Sequence, residues 1–78
     1  MTLEHDREAD AIYIRLREGT YAYGEDLDPE RRIDYDAQGE PIGIEILNVS
    51  GGVNPDDLPE SEGVAELLAA HPEIPVFA

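Results

Sequence analysis

DYDAQGEPIGIEIL, residues 34–47, joins two runs of alternating character through an acidic, glycine-marked turn. Asp36-Ala37-Gln38-Gly39 carries Asp at the first and Gly at the last position of a type I turn. A glycine there takes positive φ and forms the bulge that closes such hairpins. Beyond the turn, Pro41–Leu47 places Ile42, Ile44 and Ile46 on one side and Gly43, Glu45 and Leu47 on the other. Before it, Ile33 and Tyr35 share one side, with Arg32 and Asp34 opposite. A period of two with β-branched and aromatic residues is the mark of a half-buried strand, so the stretch reads as a hairpin.

The same alternation extends towards the N-terminus. Ala11–Arg17 puts Ile12, Ile14 and Leu16 against Tyr13, Arg15 and Arg17. Thr2–His5 reads as a brief extended segment with Leu3 inward, followed by a polar turn at Asp6–Asp10. Glu18-Gly19-Thr20 reads as another turn. Tyr21–Asp36 reads as an extended region interrupted near Asp28-Pro29, where proline removes a ladder donor; this predicts an edge strand or a bulge.

After residue 50 the pattern changes. Residues 51–57 form a loop by composition, and residues 58–71 a helix with Val64, Leu67 and Leu68 on its apolar stripe. Asp57 and Glu60 have the spacing of a capping box, while His71 and Pro72 suit a helix end. Residues 72–78 form a tail apolar enough to dock, with a neighbouring chain as the candidate surface. The expected architecture is α+β: an antiparallel β-meander of about four strands with one C-terminal helix on its isoleucine face. Its expected core is Leu3, Ile12, Ile14, Leu16, Ile33, Tyr35, Ile42, Ile44, Ile46, Val64, Leu67 and Leu68.

Seventy-eight residues allow a single domain, and a core of that size is marginal alone. No cysteine is present, which excludes disulfides, thiol catalysis and thiolate metal sites and leaves self-association as the first expected support and a metal as the second. Nineteen acidic residues against five arginines give a net charge of −14. Direct contact with nucleic acid is disfavoured, since it rests on cations that neutralise phosphates. An anionic membrane surface is disfavoured for the same reason. A basic protein is the electrostatically natural partner, although the same charge equally suits plain solubility or a salt-rich cytoplasm. MTLEHDREAD lacks the basic and apolar regions of a secretion signal, and no run approaches the roughly 20 apolar residues of a membrane span. The expectation is a soluble, cytoplasmic protein.

Two motifs occur in order: Asp6-x-Glu8-Ala9-Asp10-Ala11-x-Tyr13-Ile14, then Asp34-Tyr35-Asp36-x-x-Gly39-x-x-x-Gly43-Ile44-Glu45-Ile46-Leu47 with Ser50 following. Together they resemble the small prokaryotic family known as domain of unknown function 2283, over Leu3 to about Ser50. The resemblance implies an antiparallel sheet followed by a helix, no established activity, and for some members an antitoxin-like role beside small toxin-like proteins. It says nothing about the chain after Ser50.

Chemistry has few candidates. His5, Asp6 and Asp10, in the acidic turn region, are the residues best suited to a metal such as zinc or manganese, set against a turn capped by short acidic side chains. The spacing of a calcium loop is not met. Asp34 and Asp36, two apart on a strand, form the only carboxylate pair suggestive of acid/base work. Glu45 is expected to pair across strands with Arg15 or Arg32, or to join Tyr13 and Arg15 in a partner-binding surface. Ser50 and Ser61 lack a nucleophile turn, and Gly51-Gly52 lacks the lysine of a phosphate loop. No cofactor is implied. The function expected is a non-enzymatic interaction or oligomerising module, antitoxin-like with a basic partner; the alternative is a small metal-binding or enzymatic domain.

Overall fold

A computed structural model of the chain describes residues 1–77; Ala78, the last residue of the expected tail, lies outside the described residues. Five strands precede one helix: β1 (Thr2–Asp6), β2 (Ala11–Arg15), β3 (Tyr23–Asp28), β4 (Arg31–Tyr35), β5 (Pro41–Leu47) and α1 (Ser61–Ala69). All neighbours are antiparallel, in the order β1-β2-β5-β4-β3. The antiparallel α+β architecture anticipated from alternation is the one adopted, with five strands in place of about four. The brief N-terminal segment pairs with β2 along its whole length, Thr2 opposite Arg15 and Asp6 opposite Ala11. The long extended region splits into β3 and β4 because the Asp28 carboxylate accepts the N–H groups of Glu30 (3.0 Å) and Arg31 (2.9 Å), turning the chain at Pro29. As the proline predicts, β3 is an edge strand, and its register shifts between Asp26 and Asp28.

The order departs from a simple meander at one place. β3, β4 and β5 follow one another, but β2 lies against β5. Residues 16–22 therefore cross the end of the sheet to reach its far edge, a span of about 14 Å at the usual strand spacing. The crossing is tied down at both ends. Leu16 donates to the Ile42 carbonyl at 2.9 Å and Ala22 to that of Tyr35 at 2.9 Å. Arg17 donates both to the Pro41 carbonyl and to Glu60, just before α1. The turn at 36–39 forms as its sequence dictates: Gly39 has φ 80° and donates to the Asp36 carbonyl at 3.0 Å. The Asp36 carboxylate accepts the N–H groups of Gln38 and Glu40, each at 2.9 Å.

Register sets which side chains share a face. Ile12 faces Ile46, while Ile14 and Ile33 both face Ile44, so the isoleucines of three central strands form one continuous surface. Val64 and Leu68 of α1 close over it and are fully buried. A helix of nine residues is too short to persist in water alone. Burial of such side chains, about 1.5–3 kcal/mol each, is what holds it. Four core residues stand outside the expected set: Val49, Val53, Leu58 and Ile74, all from the loop and tail. The tail folds back on its own chain: Val53 donates to the Pro75 carbonyl (2.8 Å) and Phe77 to that of Val53 (2.9 Å). Tyr35 is a correction in the other direction. It is only partly buried and stands outside the core cluster, stacked on Tyr23 with ring centres 5.1 Å apart. Leu3 and Leu67 are likewise half-buried against the core.

The helix also begins later than residue 58, and Asp57 does not cap it. Asp57 and Glu60 both take left-handed backbone, at φ 66° and 54°. Pro59 disfavours helical backbone at Leu58, whose side chain instead drops into the core. The chain turns again at Glu60, the residue before the first helical turn, and its carboxylate pairs with Arg17 rather than capping. The helix stops at Ala69, ahead of the expected His71. His71 lies just beyond it, its Nδ1 3.2 Å from Glu73.

Candidate functional site

The face of the sheet opposite α1 carries the residues singled out for partner binding. Register aligns Glu4, Tyr13, Glu45, Arg32 and Asp26 in one cross-strand row, and Thr2, Arg15, Gly43, Asp34 and Gly24 in the next. Two glycines in the second row leave slots that larger neighbours fill. The ring of Tyr13 lies across Gly43, occupying the space a Cβ there would take. Its hydroxyl donates to Asp34 at 3.0 Å. Burial first, then this bond and the Asp34 charge, push the Tyr13 phenol above its ordinary range. The guanidinium of Arg32 lies over Gly24 in the same way and bonds Asp26 at 2.9 Å.

These slots decide the fate of Glu45. It stands directly opposite Arg32, yet among the described residues it forms no ion pair, because Arg32 reaches outward over Gly24 to Asp26. Arg15 turns the other way, its guanidinium 5.8 Å from the centre of the Tyr13 ring. The expected pairing of Glu45 with Arg15 or Arg32 is thus not formed. Tyr13, Arg15 and Glu45 do share one face, with Glu45 exposed directly opposite Tyr13.

The carboxylates of the hairpin work separately: Asp34 holds Tyr13, and Asp36 holds the turn. The metal candidates also diverge. Asp6 accepts the Ala9 N–H at 3.1 Å. Asp10, at φ 52°, accepts the Ser50 N–H at 3.0 Å through one oxygen and the Ser50 hydroxyl at 2.7 Å through the other. His5 lies on the isoleucine side opposite Ile12, its Nδ1 buried with no partner among the described residues. Among the described residues no three His, Asp or Glu side chains are grouped to hold a metal ion.

The edge position of β3 follows from Pro29, but the apolar side chains exposed on it and just before it do not. Tyr21 is 55% exposed, Tyr23 42% and Leu27 40%, beside Glu25 and Asp26. The signal was present in YAYGEDLD, where apolar and acidic residues mix without a buried face.

The whole is a small α+β domain with one isoleucine face sealed by a helix and one polar face of tyrosine, arginine and carboxylate. It belongs to the family described as "Protein of unknown function (DUF2283)", which matches residues 3–50. That span holds all of the sheet but Thr2 and ends at the Asp10–Ser50 contact; the loop, helix and tail lie beyond it. No curated protein and no solved structure matches the chain. Among the described residues, no helix is long and apolar enough to cross a membrane.

Proposed function

We propose that this chain is a non-enzymatic, cytoplasmic protein-interaction module whose acidic surface engages a basic protein. The observation that carries this reading is the disposition of its arginines. Arg17, Arg31 and Arg32 pair with Glu60, Asp28 and Asp26, and Arg15 lies over Tyr13. Arg31 is further committed to the carbonyls of Asn54 (2.9 Å) and Asp56 (2.6 Å). Among the described residues, four of the five arginines are thus engaged by neighbouring groups of the fold and only Arg7, on the surface of the first turn, is not, while most of the nineteen carboxylates are left to set the outward field. Such a field speeds encounter with a positive partner and rejects polyanions. An antitoxin-like role, with a basic toxin as the partner, is one form this takes. Affinity capture from the native cell tests it. A basic protein should be retained at low ionic strength and released as salt rises. A neutral or acidic partner, or retention indifferent to salt, overturns it.

Self-association is a second reading, favoured by Val76 and Phe77, which are 44% and 59% exposed at the folded-back tail. Sedimentation as a monomer at micromolar concentration disposes of it.

A further inference from the structure

We propose that the outer edge of β3 is where the basic partner docks, as an extended segment that adds a sixth strand to the sheet. The inference rests on the basic-partner reading and says where and how that partner binds. β3 ends the sheet and pairs only with β4, so ahead of its register shift, along Tyr23–Asp26, alternate N–H and C=O groups face outward and can template another strand. The helix does not cover this end: Tyr23 and Leu27 are exposed, and Tyr23 rests on Tyr35. Tyr23, ahead of the register shift, and Leu27, within it, supply apolar surface along this edge for the side chains of an added strand. Acidic residues lie along it: Glu25, Asp26 (paired with Arg32) and Asp28 (paired with Arg31) in the strand, with Glu30 in the turn after it.

Charge selects the occupant. A second copy pairing through this edge would bring Glu25 and Asp26 of one chain against their equivalents, and like charges directly opposite oppose pairing. A segment alternating basic and apolar residues meets no such repulsion. The opposite edge, β1, offers less: among the described residues its one exposed large apolar side chain is the adjoining Met1, which lies near Gly63 of α1.

The test uses the full chain, isotope-labelled, titrated with a synthetic peptide of about seven residues, a usual strand length, alternating lysine and valine. The expected result is saturable binding at low salt, with the largest amide shifts in residues 21–28. Glu25→Lys should weaken binding about tenfold, whereas Glu62→Lys, an equal charge change on α1, should weaken it less than twofold. A peptide N-methylated at every amide keeps its charge but cannot donate to β3, and should not bind. Equal weakening by the two substitutions, shifts spread over the whole surface, or full binding of the methylated peptide would overturn docking at the edge while leaving the basic-partner reading standing. Failure of any lysine-rich probe to bind at low salt would overturn both. Thermal melts of the two variants confirm that each is folded.

Discussion

Asp10 and Ser50, forty positions apart, are joined by two hydrogen bonds: Ser50 donates its backbone N–H to one carboxylate oxygen at 3.0 Å and its hydroxyl to the other at 2.7 Å. The Asp10 carbonyl also accepts the N–H of Val49. The turn between β1 and β2 is thereby fastened to the chain as it leaves β5, which sets the course of everything that follows. Asp10→Ala should cost about 1–3 kcal/mol, since it removes charge-assisted bonds and places alanine at φ 52°. Asp10→Asn, which tolerates that backbone and still accepts one bond, should cost less. A double-mutant cycle with Ser50→Ala should return a coupling of about 0.5–1.5 kcal/mol, measured by urea unfolding; additive costs would show that the contact is not formed.

Tyr13 depends on the absence of a side chain at Gly43. Gly43→Ala is expected to turn the ring off the sheet and break its bond to Asp34, at about 1 kcal/mol. The readout that separates this from general strain is the phenol itself. Its raised pKa means that folding favours the protonated form, so the associated stability is present below about pH 10 and lost as pH climbs through the raised value. In Gly43→Ala the late-titrating tyrosine seen by absorbance should move back toward the ordinary range. Tyr13→Phe should remove the Tyr13 part of the late titration and leave that of Tyr35, whose phenol burial also raises.

How much of this was legible beforehand divides along a physical line. Periodicity reports burial on one face of a strand, so Ile12, Ile14, Ile42, Ile44 and Ile46 could be placed in the core from spacing alone, and all five are buried. Strand order does not follow from spacing. Nothing in Leu16–Ala22 says that it crosses two strands instead of turning back, because hydrogen bonds from Leu16 to Ile42 and from Ala22 to Tyr35 decide it. Val49, Val53, Leu58 and Ile74 are single apolar residues in irregular backbone, with no period to betray them. Arg32 illustrates the limit for the polar face. Its cross-strand neighbour Glu45 was the natural partner, yet the empty space over Gly24 redirected it to Asp26.

Asp28 holds the β3–β4 turn, and its carboxyl lies below the usual range chiefly because Arg31 bonds it, with the N–H groups of Glu30 and Arg31 adding to the effect. A depressed carboxylate stabilises the fold above its unfolded value of about 3.9, and that contribution disappears as pH falls through the lower folded value. Asp28→Asn should therefore be less stable than the parent at pH 7, by about 0.5–1 kcal/mol given the exposure of the pair, and the gap should close on acidification. Urea midpoints at pH 7 and pH 3 measure it; a gap that persists unchanged at pH 3 would assign the effect to turn geometry.

His5 offers the sharpest discrimination between a structural and a ligand-binding role for the N-terminal turn. It sits opposite Ile12 with Nδ1 buried and no group among the described residues to bond it, beside an open depression of about 230 Å³ that also meets Arg7, Asp10, Ser50 and Glu73. A buried polar atom without a partner costs about 1–3 kcal/mol. His5→Leu replaces it with an apolar side chain next to Ile12, and should raise the melting temperature by about 4–8 °C for each kcal/mol gained in a domain of this size. The same melts run with zinc, manganese or EDTA extend the test. A site that uses His5 would stabilise the parent in metal and not the variant, because a ligand that binds only the folded state raises its stability by mass action. Parent melts indifferent to metal, together with a more stable His5→Leu, would fix this histidine as a packing residue whose imidazole the fold tolerates.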